Sequence, residues 1–225
     1  MIRAIFFDLD DTLLDFGMAE RVAVAKAFRA VGVEPDEALL REYSAINDMM
    51  WKKMELGQVS RDALLVERFD ILFQRHQIPV EGRTCEDAYR QFLGIGHYFV
   101  EGAEEILAYL APKYDLYLAS NGVAATQYSR LQSAGIGPYF RQIFISETTG
   151  FHKPEPGYYD FCFHAIGDLP REQALMLGDR LSSDILGGKR AGMQTCWFNP
   201  RRLVNDTGVF PDMEIHALAQ LKTLL

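Results

Sequence analysis

Ala4-Ile5-Phe6-Phe7-Asp8-Leu9-Asp10-Asp11-Thr12-Leu13 is the stretch that decides the fold class of this chain. Four apolar residues run without interruption into a cluster of carboxylates. An unbroken apolar run predicts a strand buried on both faces, as in a parallel sheet, because a strand with one wet face alternates apolar and polar residues. The same grammar recurs downstream. The run 114–119 ends in Ser120-Asn121-Gly122, 142–145 ends in Ser146-Glu147, 174–177 ends in Gly178-Asp179, and 195–198 ends in Asn199-Pro200. Between these runs, apolar residues at helical spacing predict helices over 102–110, 124–134, 156–165 and 182–191. Gly135 and Gly192 supply stops, and Pro156 supplies a start. Strands alternating with helices make an open parallel α/β sheet, in which ligands bind beyond the carboxyl ends of the strands. The polar residues that close each run fall on that edge.

The segment from about residue 18 to 93 departs from this alternation. Residues 19–31 read as a helix, and Leu39, Tyr43, Ile46, Met50 and Met54 trace a second that stops before Gly57. A third over 60–73 carries the stripe Leu64, Leu65, Phe69 and Leu72, and Thr84 with Asp87 has the spacing of a capping box for a fourth. Successive helices with no strand between them predict an all-helical insertion between the first and second strands.

Composition narrows the classes of function. The chain has 225 residues, 48% hydrophobic and 24% charged, which is ordinary for a globular protein and excludes global disorder. Lys plus Arg is 23 against 31 Asp plus Glu, a net charge of -8 that disfavours binding to a nucleic acid polymer. A small anionic substrate stays open, because a pocket can be locally positive. Cys85, Cys162 and Cys196 are odd in number and widely spaced, which argues against a disulfide framework or a zinc knuckle and for free thiols in a reducing cytosol. The apolar run at the start is too short for a signal peptide, and none approaches the roughly 20 residues that span a bilayer. A cytoplasmic protein with no membrane partner is expected.

The chemistry sits at the strand ends. Asp8 and Asp10 are two apart in extended chain and so point to the same side. Such a pair can divide its labour, one as nucleophile and magnesium ligand and the other moving protons; a solvated acidic turn is the plainer alternative. Thr12 is placed to hydrogen-bond the loop that holds Asp10. Ser120 and the N–H groups of Asn121-Gly122 can hold a phosphate oxygen, or form an ordinary strand-to-helix turn. Lys153, in Gly150-Phe151-His152-Lys153-Pro154, can neutralise a phosphate or a nucleophilic carboxylate, or be a surface lysine. Asp179 and Asp184 add two carboxylates to the same edge, and an all-oxygen set suits Mg²⁺ better than zinc. Asp184 also has the reading of a helix cap or a partner of Lys153. Taken together, the four signals in this order favour a common site.

These segments resemble the haloacid-dehalogenase-like superfamily of phosphohydrolases. The matching residues are Asp8-Leu9-Asp10-Asp11-Thr12-Leu13, Ser120-Asn121-Gly122, Lys153-Pro154, and Gly178-Asp179 through Asp184. The resemblance implies a Rossmann-like parallel-sheet core over 1–15 and 97–225, with an all-helical C1 cap inserted over 16–96. It implies that Asp8 is the nucleophile that becomes an aspartyl-phosphate and that Asp10 is the general acid/base. Ser120 and Lys153 hold the phosphoryl group and the nucleophile. Asp8, Asp179 and the main-chain carbonyl of Asp10 bind Mg²⁺, with Asp184 supporting the metal site or Lys153. A narrower resemblance, to bacterial pyrimidine 5′-nucleotidases of the family, rests on Tyr43-Ser44-Ala45-Ile46-Asn47 with Trp51, on Ser182 to Gly188, and on Thr195 to Asn199. It makes Asn47, Trp51 and Asn121 substrate-binding candidates, although Trp51 and Asn47 also read as packing between cap helices. Arg180 stands where relatives carry small residues.

The implied activity is Mg²⁺-dependent hydrolysis of a small phosphorylated metabolite, the narrow reading being a pyrimidine nucleoside 5′-monophosphate. The alternatives are a sugar-phosphate, phosphoglycolate or acyl-neuraminate phosphatase of the same chemistry, and a non-catalytic binding protein of the same fold. The intact set Asp8, Asp10, Lys153 and Asp179 speaks against the last.

Overall fold

The computed structural model describes residues 1–225 apart from the side chain of Glu55. Strand β1 (Ala4–Phe7) is followed by four helices in succession, α1 (Phe16–Ala30), α2 (Glu37–Glu55), α3 (Arg61–Arg75) and α4 (Gly82–Ile95). The chain then alternates through α5 (Ala103–Leu110), β2 (Asp115–Ser120), α6 (Ala124–Ala134), β3 (Gln142–Ile145), α7 (Ser146–Thr149), α8 (Pro156–Ile166) and β4 (Ala174–Gly178). It closes with α9 (Leu186–Arg190), β5 (Gln194–Phe198), β6 (Met213–Ile215) and α10 (Leu221–Leu224).

Among the described residues the strands form one six-stranded sheet in the order β3-β2-β1-β4-β5-β6, with every neighbouring pair parallel. The order reverses at β1, which lies between β2 and β4, and such a switch point opens a crevice at the carboxyl edge. Period-two alternation divides the core. Ile5, Phe7, Leu116, Leu118, Leu175 and Leu177 pack on one face with Ile106, Leu107 and Leu110 of α5 and Leu131 of α6. Phe6, Tyr117, Ala119 and Met176 pack on the other with Tyr158, Tyr159, Cys162 and Phe163 of α8. Both sets are buried, which is why β1 reads as a continuous apolar run.

The chain divides into two compact units, Met1–Phe16 with His97–Leu225, and Gly17–Gly96. In the first unit the departing and returning segments run side by side. Leu14 bridges Phe99, and the Asp15 N–H donates to the Tyr98 carbonyl at 2.7 Å. The second unit is all-helical. Side chains cap two of its helices, with Asp36 accepting from the Leu39 N–H at 2.7 Å and Ser60 from the Ala63 N–H at 3.2 Å. Phe28, Tyr43, Phe69, Phe73 and Tyr89 form its aromatic core.

Five local features differ from the sequence reading. Helix α4 begins at Gly82, so Thr84 lies inside it and forms no capping box; the Gly82 N–H donates instead to Asp70 Oδ1 of α3 at 2.7 Å. None of α7, β6 and α10 was expected, since four-residue helices and a three-residue strand are too short to show a period. The helix expected over 182–191 opens with a wide π-helical turn, Leu181–Ile185, before α9. There the Asp184 and Ile185 N–H groups both donate to the Arg180 carbonyl, at 3.0 and 3.3 Å. No helix among the described residues is long and apolar enough to cross a membrane, and the three cysteines are free and buried.

Candidate active site

The carboxyl ends of β2, β1 and β4 lie side by side, and each carries one element of the site. Asp8 follows β1 directly, with its N–H donating to the Leu177 carbonyl of β4 at 2.9 Å. Ser120 ends β2, and Asp179 follows Gly178, the last residue of β4. Lys153 comes from the loop between α7 and α8. A two-bond clasp fixes that loop to the end of β2: Asn121 Nδ2 donates to the Lys153 carbonyl at 2.9 Å, and the Lys153 N–H donates to Asn121 Oδ1 at 2.8 Å.

Lys153 is 1% exposed, and each of the three donors of its ammonium has a partner. Nζ donates to Asp8 Oδ1, the Ala119 carbonyl and Asp184 Oδ1, each at 2.7 Å. Burial alone would lower its pKa, but Asp184 and Asp8 outweigh burial and the net shift is upward. Asp184 is held from the other side, its Oδ2 accepting the Arg180 N–H at 3.0 Å. This close return explains Gly178: a Cβ there would lie 2.2 Å from Asp184 Oδ2.

Asp8, Asp179 and Asp184 offer three carboxylate oxygens that all lie within 4.8 Å of one another. One ammonium cannot balance three such charges. Burial, with Asp184 and Asp10 nearby, pushes the Asp8 carboxyl up to about 7 against the opposing pull of Lys153. Burial, Asp8 and Asp184 likewise hold Asp179 well above the usual carboxylate range. Asp179 Oδ1 is buried with no hydrogen-bond partner among the described residues. An orphaned buried carboxylate oxygen beside two others, with no imidazole or thiolate in the set, fits a hard divalent cation such as Mg²⁺.

Asp10 is not one of those three carboxylates and has partners of its own. Its Oδ1 accepts from Arg130 Nη1, and its Oδ2 accepts from Gln127 Nε2 at 2.6 Å. The same Gln127 nitrogen donates to Ser120 Oγ at 2.9 Å, and the Gly122 N–H donates to that oxygen at 3.1 Å. Asp11 has φ 57° and its Oδ1 accepts the N–H of Phe16 at 2.9 Å, so the acidic turn also caps α1. Thr12 holds the Asp10 loop only through its backbone N–H, which donates to the Leu9 carbonyl at 3.4 Å. It is buried and its Oγ1 has no partner among the described residues, because the turn is closed by backbone bonds to the Leu9 carbonyl.

The structure therefore brings Asp8, Lys153, Asp179 and Asp184 into one contact set, with Asp10 and Ser120 joined through Gln127. It gives Asn121 and Asn47 other partners. The Asn121 amide clasps the Lys153 loop. Asn47 is 1% exposed in the helical unit, where Nδ2 donates to Glu20 at 2.7 Å and Oδ1 accepts from Arg68 Nη1 at 2.7 Å. Arg68 in turn donates to Glu86 at 2.6 Å. Trp51 is half-buried in α2, and Arg180 is exposed.

A family model of haloacid dehalogenase-like hydrolases matches residues 2–192, a span that contains every one of these site residues. The chain belongs to that family. Its similarity to the HAD-hydrolase YfnB of Bacillus subtilis is 38% identity, covering 99% of this chain and 95% of YfnB. The magnesium-bound crystal structure of YfnB superposes with a TM-score of 0.95 over 100% of this chain and 98% of that one. The pyrimidine 5′-nucleotidase PynA of Streptococcus pneumoniae is 37% identical, covering 97% of this chain and 93% of PynA. The pyrimidine 5′-nucleotidase YjjG of Escherichia coli is 29% identical over 98% and 96%.

Two residues of this hydrolase that the sequence reading passed over are Gln127 and Arg130. The signal for them was present: in 124–134 they sit three apart, on the face that also carries Leu131, where a packing helix would place aliphatic residues.

Proposed function

We propose that this hydrolase cleaves phosphate monoesters in two steps through a phosphorylated Asp8. The observation that carries the reading is Asp8 held by a fully buried Lys153 at 2.7 Å, inside a three-carboxylate cluster whose Asp179 Oδ1 lacks a partner. Asp8, Asp179 and the main-chain carbonyl of Asp10 would hold Mg²⁺, with Asp184 supporting the site. The cation would offset the repulsion between an anionic nucleophile and a phosphate dianion.

The residues divide the work as follows. Lys153 holds Asp8 Oδ1, which leaves Oδ2 to attack phosphorus in line. The bond from Asp8 to phosphorus forms as the bond to the leaving oxygen breaks, and Asp10 gives that oxygen its proton. Asp10 then takes a proton from water, whose oxygen attacks the same phosphorus and releases Asp8 and inorganic phosphate. Two donors fill the acceptor side of Ser120 Oγ, so its own proton is left for a phosphoryl oxygen. Asp10 also argues against dehalogenation, since a halide leaves without a proton.

The substrate class we favour is a pyrimidine nucleoside 5′-monophosphate, supported by the likeness to PynA and YjjG. The helical unit is then the cap that selects the substrate. Within it Trp51 is the side chain proposed to stack on a base, because the Asn47 amide is already engaged. Turnover of p-nitrophenyl phosphate with Mg²⁺ tests the reaction; no hydrolysis would sink it. A panel of UMP, dUMP, dTMP, sugar phosphates and phosphoglycolate tests the substrate. A preference for pyrimidine nucleotides is expected, and equal or better use of phosphoglycolate or sugar phosphates would overturn the narrow reading alone.

A further inference from the structure

Helix α6 brings two buried polar side chains to the edge of the site. Gln127 is 2% exposed and Arg130 is 0% exposed. Gln127 Nε2 joins Asp10 Oδ2 to Ser120 Oγ, at 2.6 and 2.9 Å. Arg130 Nη1 donates to Asp10 Oδ1 and also to Gln127 Oε1, the second at 3.0 Å. The Arg130 guanidinium lies 5.7 Å from the centre of the Phe16 ring. Taking a guanidinium out of water is unfavourable, and packing at this position needs only an aliphatic side chain. The chain nevertheless places an arginine there and directs it at one carboxylate.

We propose that Gln127 and Arg130 are positioning residues for proton transfer. They fix the Asp10 carboxylate in one orientation and tie it to the hydroxyl that holds the phosphoryl group. The inference rests on the reading of Asp10 as general acid/base. A carboxylate has about four lone-pair sites on its two oxygens. The clamp takes one site on each oxygen, so either oxygen keeps a lone pair for the reacting atom. Asp10 is also the one partly open member of the network, its side chain 28% exposed against 0% for Arg130. Proton transfer needs the donor within about 2.6–3.2 Å of its target, so a carboxylate free to swing loses much of its effect. Both steps of turnover depend on the clamp. The first does so only when the leaving group is too basic to depart without a proton.

That dependence gives a test that a general loss of structure would not imitate. Gln127→Leu, Arg130→Met and Arg130→Lys are compared with wild type on phenyl phosphate and on p-nitrophenyl phosphate. The two esters are alike in shape, but phenol is a far weaker acid than p-nitrophenol. For Gln127→Leu and Arg130→Met, kcat/KM on phenyl phosphate is expected to fall about tenfold or more, and kcat/KM on p-nitrophenyl phosphate by less than about threefold. Slower release of phosphate from Asp8 should also expose a burst of p-nitrophenolate that wild type lacks, and Arg130→Lys should recover part of the loss. Equal falls on both esters, or none, overturn the positioning role while leaving the phosphatase reading intact. A wild-type enzyme that hydrolyses neither ester overturns both. If Arg130→Met fails to fold, Gln127→Leu carries the same comparison, because it keeps the arginine.

Discussion

Replacing Lys153 by Met removes one charge from a space that already holds too much of the other sign. In the wild-type fold the ammonium donates at 2.7 Å to Asp8, to Asp184 and to the Ala119 carbonyl, and Lys153 as a whole is 1% exposed. Methionine has similar length and no donor, so packing is retained while all three acceptors lose their partner. Removing one member of a buried ion pair costs about 3–5 kcal/mol, because the charge left behind is neither solvated nor paired. Two carboxylates are stranded here, but the loss does not double. Asp8 is already pushed up to about 7, so near neutral pH it takes a proton and relieves part of the repulsion. A net loss of about 3–5 kcal/mol is expected in metal-free protein at pH 7.5, which corresponds to a fall of about 6–20 °C in melting temperature for a chain of this size. The loss should shrink at pH 5, where protonation stands in for the missing ammonium, and it should shrink in the double variant Lys153→Met with Asp184→Asn. Thermal unfolding in EDTA reads all three. A fall of less than about 3 °C for Lys153→Met would refute the claim that this ammonium balances buried carboxylates.

The remaining predictions concern the same cluster. Asp8→Asn should abolish turnover of phosphate esters while the chain still folds, and persistent activity would remove Asp8 as nucleophile. EDTA should stop turnover and Mg²⁺ should restore it. Mg²⁺ should also raise the melting temperature more at pH 8 than at pH 5. The sign follows from Asp8: its folded pKa of about 7 exceeds an unfolded value of about 3.9, so the metal-free fold binds an extra proton and loses stability as pH rises from about 4 to 7. An equal shift at both pH values would contradict that linkage. Gly178→Ala places a Cβ 2.2 Å from Asp184 Oδ2, so Mg²⁺ binding measured by calorimetry should weaken by about tenfold or more, and unchanged affinity would show that Asp184 has room to move.

The parts of the fold that were legible in the sequence are those in which one physical pattern acts alone. β1 and β4 are buried on both faces, so their apolar runs were unbroken and ended where the chain turned polar. Helix α6 was bounded by Gly135, whose φ of 70° is the left-handed stop its position in the sequence implied. Asp8 and Asp179 were read as chemistry because each directly follows an apolar strand, and Lys153 and Asp184 because they come in order at the same sheet edge, although a solvated turn, a surface lysine and a helix cap were open alternatives. What stayed hidden depends on contacts distant in sequence. No local pattern says that Gly82 borrows its cap from Asp70, twelve residues earlier on another helix. The partners of Asp10 lie 117 and 120 residues away, on a helix whose own pattern suggested only packing. Asn47 was read by its residue type, but Glu20 and Arg68, 27 and 21 residues distant, decide what its amide does.

The stereochemical course at phosphorus tests the phosphorylated-Asp8 account most directly. A monoester made chiral with sulfur and oxygen isotopes would be hydrolysed in isotopically labelled water, and the configuration of the released thiophosphate determined. Two in-line displacements, first by Asp8 and then by water, each invert the centre, so the account predicts net retention. Net inversion would mean a single direct attack by water and would contradict it.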